Sequence, residues 1–288
     1  MSLNLTQSQK SLSVIKGNEL KKNKKSDWVI NKEKTHEKKS NDRVWLFGIH
    51  SVREALENLN RTKYDLMVTP NAEKKLLDAI LKSGMNPRVI DARKFAPPIE
   101  QQSVHQGAAL EVSPLNWGSV SEICYPESQN KLVLLLDRVT DPHNIGAILR
   151  SAEVFGTTAV IAPIRYSAPE TGALAKSASG SLERQPYLRV PNLARAILSL
   201  KQMGYFCIGL DASSPIDIEN CFDGVPQMPI AIIVGAEGPG LRELTIKNCD
   251  IIVKISSITS FGSLNVSNAA ALALFLSQSQ IKKWSANI

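Results

Sequence analysis

Leu132-Val-Leu-Leu-Leu-Asp137, then Asp141-Pro-His-Asn-Ile-Gly-Ala-Ile-Leu-Arg150-Ser-Ala-Glu-Val-Phe-Gly156, then Ala159-Val-Ile-Ala162, reads as strand, helix, strand. The first run is continuously apolar and strand-length, which suits a strand covered on both faces. Asp141 is a good N-cap, and Pro142 suits the first helical position because its fixed φ and missing N–H cost nothing there. Ile145, Ile148, Ala152 and Phe155 then form one stripe at helical spacing, and Gly156 closes the helix. Arg150 lies about opposite that stripe, facing outward.

The same grammar continues downstream. Short apolar runs at Phe206–Leu210, Ile230–Val234 and Ile251–Ile255 alternate with helical patterns at Leu193–Met203 and Asn268–Gln278. Strands alternating with helices predict an α/β domain over 131–288, a mostly parallel sheet with helices on both faces. Upstream, helical spacing over His50–Leu59 and Ala72–Ser83, the latter ending at Gly84, is interleaved with strand-like Tyr64–Thr69, Arg88–Asp91 and Ala108–Val112. This predicts a small α/β domain over 43–113. Residues 114–130 carry proline, glycine and serine with little apolar pattern and read as a linker.

Residues 1–42 hold ten lysines against five acids, so most of the chain's net +7 sits there. They are polar and aperiodic, and read as a basic disordered tail. Such an arm either contacts phosphates without sequence preference or is a solvated extension with no function of its own. The remaining body holds only about +2, so any nucleic-acid binding there would need local basic patches. Hydrophobic content of 43% and charged content of 21% are ordinary for a globular protein. No apolar run reaches membrane-spanning length, and the N-terminus has neither a secretory core nor an arginine-rich transit composition. Cys124, Cys207, Cys221 and Cys249 show no metal-site spacing and read as reduced, buried thiols. The expected compartment is cytoplasmic, with no membrane and no metal.

Two further segments accompany the Asn144–Arg150 helix. Gly235-Ala-Glu-Gly-Pro-Gly240 follows a strand, where glycines let backbone approach a ligand and expose N–H donors. As a dinucleotide fingerprint it is poor, because Glu237 sits inside the loop and no acid follows at about 20 residues. Glu237 itself can pair with a cation, hold a ribose hydroxyl or cap the turn. Ser263-Leu-Asn-Val-Ser267 precedes the last helix. Its three capping-type residues, Ser263, Asn265 and Ser267, exceed what one helix start requires.

In this order and spacing the three segments resemble the signature motifs of the SpoU family of RNA ribose 2'-O-methyltransferases, within the knotted SPOUT superfamily. The resemblance spans roughly residues 45–278 and is strongest to the branch that methylates a guanosine ribose of 23S ribosomal RNA. It implies S-adenosylmethionine as cofactor, a C-terminal trefoil knot, a homodimer formed through the catalytic domain, and a small RNA-binding domain in front. Phe47-Gly-Ile-His50 and Val104-His-Gln-Gly107 resemble that small domain, with His50 and His105 read as structural histidines ahead of RNA contacts. By the same resemblance Asn144, Arg150, Glu237, Ser263 and Asn265 form the catalytic set. Gly235, backbone near Ile255 and Leu264, and Leu210 as an adenine wall would bind the cofactor. Related sequences often carry Ile-Pro-Met where this chain has Ile255-Ser256-Ser257, and Asn268 replaces an often apolar position.

The implied reaction passes the sulfonium methyl to a ribose 2'-oxygen. Alignment is worth roughly 7–11 kcal/mol and general base catalysis about 10²–10⁴-fold, so positioning is expected to dominate. A guanidinium is a reluctant base, and Arg150 is expected to clamp a phosphate and stabilise developing alkoxide charge. His143 is chemically better tuned as a base, but its place in the first helical turn favours a structural role. Alternatives are a transfer RNA ribose methyltransferase, a noncatalytic RNA-binding or ribosome-assembly protein on the same scaffold, and a nucleotide-dependent dehydrogenase.

Overall fold

The computed structural model describes residues 43–100, 102–257 and 264–286; the 1–42 tail lies outside them, as does Ser263. Two sheets organise the described chain. The first has four strands, β1 (Val44–Phe47), β2 (Lys63–Val68), β3 (Arg88–Val89) and β4 (Ala108–Val112), in the order β1-β4-β2-β3. Both pairings of β4 are antiparallel, and β2–β3 is parallel. Helices α1 (Ile49–Glu57) and α2 (Pro70–Ser83) accompany it. Gly84 takes the left-handed C-cap, with φ 68°, as its place in the sequence predicts.

The second sheet has six strands, β5 (Leu132–Asp137), β6 (Ala159–Pro163), β7 (Tyr187–Val190), β8 (Phe206–Leu210), β9 (Ile230–Gly235) and β10 (Ile251–Val253). Their order is β10-β8-β9-β5-β6-β7, and every pairing is parallel. Side chains alternate across it. Leu132, Leu134, Leu136, Ile230 and Ile232 join one core with residues of α4 (Pro142–Val154), α5 (Gly172–Ala178) and α8 (Val266–Ala286). Val133, Leu135, Ala231 and Ile233 join a second core with α6 (Leu193–Gln202), flanked by Ile246 of α7 (Glu243–Asn248). Both faces are therefore covered, which is why these strands read as unbroken apolar runs.

The two sheets abut. A Cβ on Gly172 of α5 would lie 2.4 Å from the Phe47 ring and from Trp45 O of β1, so only glycine fits there. Arg61 reinforces the junction. Its buried guanidinium reaches Glu170 at 2.7 Å, Glu183 at 2.6 Å and the Ser113 carbonyl at 2.8 Å.

Several expectations need adjusting. The first helix stops at Glu57, and Leu59 is 92% exposed, because the Asn58 side chain turns away to donate to Glu183. Residues 114–130 contain a four-residue helix, α3 (Val120–Ile123), closed by a Ser119–Glu122 capping box, and Trp117, Val120, Ile123 and Cys124 pack on the second core. The last helix extends past Gln278 to Ala286, held by buried Ile281 and by Trp284 meeting Phe222 edge-on at 5.9 Å. Strand β10 ends at Val253, two residues before Ile255. Among the described residues no helix is long and apolar enough to cross a membrane.

Candidate active site

In a wholly parallel sheet all carboxyl ends lie along one rim, where ligands characteristically bind. Register decides which loops meet there. Asp137, ending β5, pairs with Gly235, ending β9, so the turn into α4 and the 235–240 loop leave the rim side by side. Leu210, ending β8, pairs with Val253 on its other flank.

The α4 start forms as its sequence predicts. Asp141 caps the helix by accepting from His143 N at 2.9 Å, and Pro142 follows. Gly146 permits a close crossing, since a Cβ there would meet Ser177 Cβ at 2.5 Å on the neighbouring helix. The 235–240 loop doubles back on itself. Gly240 N donates to Ala236 O at 3.0 Å, and a Cβ on Gly235 would stand 2.3 Å from the Gly240 carbonyl carbon. Asp137, fully buried, fixes the far end of this loop. It accepts from Arg242 N at 3.0 Å, Arg242 Nε at 2.7 Å and Thr245 Oγ1 at 2.7 Å.

Asn144, Glu237 and Asn265, far apart in sequence, meet at this rim. Glu237 Oε1 accepts from Asn144 Nδ2 at 3.2 Å, Asn265 Nδ2 at 2.8 Å and Val266 N at 3.3 Å. Asn265 Nδ2 also donates to Asn144 Oδ1 at 3.0 Å, and its Oδ1 accepts from Ser267 N at 2.9 Å, capping α8. Three donors converge on Oε1, while Oε2 makes no hydrogen bond among the described residues. Glu237 thus does more than cap a turn, because it joins all three segments.

Arg150 stands apart from that trio. Six residues beyond Asn144 it is about 9 Å further along the helix and a third of a turn round. Its side chain is exposed and makes no hydrogen bond or ion pair among the described residues. His143 is exposed too, and its backbone N–H serves the cap. His105 behaves as a structural histidine, accepting from Gly107 N at 3.0 Å and packing on Phe95 at 4.8 Å. His50 does not: its side chain is exposed and makes no hydrogen bond among the described residues.

Beside the trio opens a cleft of about 900 Å³, of the size that holds a small organic cofactor. Leu210, Gly235, Ile255 and Leu264 all line it, together with Glu237. Asp211, Lys254 and Ser256 line it as well, outside the three motifs. Asp211 was within reach of sequence reasoning, since it directly follows the carboxyl end of β8, where the parallel-sheet rule places ligands. Its Oδ1 accepts from Ser213 N and Oγ at 2.9 and 2.6 Å. Apolar walls from Leu210, Ile255 and Leu264, exposed backbone at Gly235–Gly240, and the Asp211 carboxylate suit a flat base joined to a ribose.

Comparison with known proteins agrees with this geometry. The chain is 35% identical over 248 residues to the 23S rRNA (guanosine-2'-O-)-methyltransferase RlmB of Pseudomonas putida, covering 83% of this chain and 98% of that one. Among solved structures it is similar to the SpoU methyltransferase AviRb of Streptomyces viridochromogenes in complex with AdoMet, at TM-score 0.72 and 22% identity, covering 85% of this chain and 93% of that one. An AdoMet-bound rRNA methyltransferase from Sinorhizobium meliloti is similar at TM-score 0.70 and 18% identity, covering 86% and 90% of the two chains. The SpoU rRNA Methylase family model matches residues 131–275, the span that carries the six-stranded sheet, the trio and the cleft. On that match, and on the relationship to the Pseudomonas protein along nearly its whole length, the chain belongs to the SpoU rRNA methylase family.

Proposed function

We propose that this protein is an S-adenosylmethionine-dependent RNA methyltransferase that modifies a ribose 2'-hydroxyl, with a guanosine of 23S ribosomal RNA as substrate. The observation that carries the reading is the meeting of Asn144, Glu237 and Asn265 at the mouth of a cofactor-sized cleft. The relative named for 23S guanosine methylation supports the substrate class.

When bound, S-adenosylmethionine supplies a methyl group already activated by its sulfonium. Leu210, Gly235, Ile255 and Leu264 would hold it, with Asp211 placed for ribose hydroxyls. The chain itself must align a poor alcohol nucleophile and take up its proton. Glu237 is suited to this. With Oε1 held by three donors, Oε2 is left to accept from the target 2'-hydroxyl. Asn144 and Asn265 fix that carboxylate's orientation. Arg150, exposed and unpaired among the described residues, is free to clamp the adjacent phosphate and stabilise developing charge on the 2'-oxygen. Ser263 completes the set by resemblance.

The remaining elements extend the same reading. The first sheet with α1 and α2 serves as the RNA-binding domain, and the lysine-rich 1–42 segment as a phosphate-contacting arm. The C-terminal part carries a trefoil knot. Supporting this, β10 is the edge strand of the sheet, while Val266, which opens α8, donates its N–H to Glu237 of the 235–240 loop and α8 packs against α4. A homodimer is supported by exposed apolar residues on those two helices: Val154, Leu272 and Phe275 are 77%, 42% and 52% exposed. The reaction takes place in the cytoplasm.

The test is ribose-methylation mapping of total RNA with and without the protein, alongside labelled-cofactor transfer to 23S and transfer RNA. A single protein-dependent site in 23S RNA is expected, and transfer to transfer RNA alone would overturn the substrate assignment. Arg150→Ala should lose about 10²-fold or more in methyl transfer with cofactor affinity intact. Near-normal turnover would remove Arg150 from the mechanism.

A further inference from the structure

The loop that follows β6 takes no part in the site described above, yet it is held with unusual firmness. Arg189 of β7 turns its guanidinium into it. Nη1 donates to Ala168 O at 2.6 Å, and Nη2 to the carbonyls of Pro163, Ile164 and Ser167 at 3.0, 2.8 and 3.1 Å. The Tyr187 hydroxyl adds a bond to Ala168 O at 2.8 Å. One permanently charged group gathers four carbonyls, so the loop backbone has little freedom.

The tip of this fixed loop is exposed. Ile164 and Tyr166 are 54% and 71% exposed. Arg165 is exposed too, and has no hydrogen bond or ion pair among the described residues. Tyr166 also has φ +64°, a left-handed conformation that an aromatic residue adopts only where its surroundings enforce it. Stability alone gives no reason to hold an aromatic ring in solvent in a disfavoured conformation, where glycine would sit without strain.

Position supplies a reason. β6 neighbours β5, and β5 neighbours β9, all parallel, so residues 164–166 leave the same rim as Glu237. Two strand spacings put them about 10 Å to the side, on the flank away from the cofactor cleft. That distance suits a nucleotide next to the one being modified.

We propose that Tyr166 and Arg165 form a second RNA contact, Tyr166 stacking on an unpaired base that flanks the target nucleoside and Arg165 pairing with a neighbouring phosphate. The inference rests on the RNA-modifying reading above. Unpaired bases stack on aromatic side chains whatever their identity, and a guanidinium fork matches a phosphate. A rigid loop delivers both groups at little entropic cost.

The experiment uses the full chain and a 23S RNA transcript, with binding measured over a salt series and cofactor affinity measured by calorimetry. Tyr166→Ala should weaken RNA binding about 5- to 150-fold, the range for one lost stack, while Tyr166→Phe and Tyr166→Trp stay within about twofold of the parent. Arg165→Ala should lower the slope of log affinity against log salt by about 1, and Tyr166→Ala should leave that slope unchanged. Cofactor affinity stays constant in all variants, and Tyr166→Gly melts no lower than the parent while losing RNA affinity. Parent-like RNA binding by Tyr166→Ala and Arg165→Ala would overturn the contact, as would RNA losses that merely track a lower melting temperature. If the parent methylates RNA and these variants bind normally, the contact fails and the reaction stands. If they bind as expected but the parent transfers no methyl to any RNA, the reaction fails and the contact stands.

Discussion

Replacing Arg61 with alanine should destabilise the protein severely, because of what it leaves behind rather than what it removes. The Arg61 side chain is fully buried, and its partners Glu170 and Glu183 are only 6% and 4% exposed at their side chains. Four hydrogen bonds join the guanidinium to its surroundings: Nε and Nη2 to Glu183 at 3.0 and 2.6 Å, and Nη1 to Glu170 and Ser113 O at 2.7 and 2.8 Å. Without it two carboxylates face one another away from water. Breaking a buried pair by deleting one partner costs roughly 3–5 kcal/mol. For a chain of this size that is a fall of about 6–20 °C in melting temperature. A second signature follows from protonation. Burial raises the Glu170 carboxyl above the usual carboxylate range even with Arg61 pulling it down. Deleting Arg61 raises it further, so the folded variant binds protons more tightly than its unfolded chain. Its stability therefore rises as pH falls through that raised value, and is lowest above it. Urea unfolding at pH 8 and pH 5.5 should show the gap from wild type narrowing at the lower pH. Combining Arg61→Met with Glu170→Gln and Glu183→Gln should recover part of the loss, since it removes the stranded charge. A loss under about 1 kcal/mol, or a gap that ignores pH, would refute the reasoning.

Three other perturbations probe the rim and the cores. Gly235→Ala forces a methyl to within 2.3 Å of Gly240 backbone, which cannot yield like a flexible side chain, so cofactor affinity should fall about tenfold or more by calorimetry. Unchanged affinity would mean the 235–240 loop is not part of the cofactor wall. Glu237→Gln can still accept through Oε1 from Asn144, Asn265 and Val266, but it turns a donor towards the substrate, so single-turnover methyl transfer should drop about 10²-fold with RNA and cofactor binding preserved. Burial pushes the thiols of Cys124, Cys221 and Cys249 up to about 12, and raises Cys207 as well. At pH 8 the buried Cys124 and Cys221 should then react with a disulfide reagent at least about 30-fold more slowly folded than unfolded, and fast labelling of either in the native protein would contradict their burial, whereas Cys249 is only partly buried.

How much of the fold and site is legible in the sequence depends on the range over which each feature is determined. The cap, stripe and terminal glycine of α4 are local and readable, as is the two-face burial of β5 and β9 from their unbroken apolar runs. The convergence of Asn144, Glu237 and Asn265 is anticipated only through resemblance, because no local pattern says that residues 93 and 28 positions apart will share an acceptor. Strand β7 escapes a sequence reading. Its four residues show neither a long apolar run nor strict alternation, and its arginine is turned to loop carbonyls at a distance. The 114–130 segment reads as a linker because its apolar anchors, Trp117, Val120 and Ile123, are spread among prolines and serines and matter only against a surface built elsewhere.

Register links these scales. Asp137 opposite Gly235 is one rung in a six-rung ladder between β5 and β9, and a slip of a single residue would turn every side chain of one strand to the wrong face. The apolar faces on both sides of the sheet thus hold the alignment far more strongly than any polar contact at the rim. Once it is held, Ala236 N reaches Asp137 O at 3.0 Å, the Asp137 carboxylate takes Arg242 and Thr245, and the loop between is folded tightly enough that Glu237 has one place to go. The meeting of Asn144, Glu237 and Asn265 therefore depends on hydrophobic burial several residues away, and, on the proposed function, sheet-interior substitutions at Leu136 or Val234 should damage methyl transfer through the loop they position rather than through any contact with substrate. That ordering, core first and rim geometry as its consequence, is also why the local sequence around Glu237 leaves its partners open while the folded sheet brings Asn144, Asn265 and Val266 to one carboxylate oxygen.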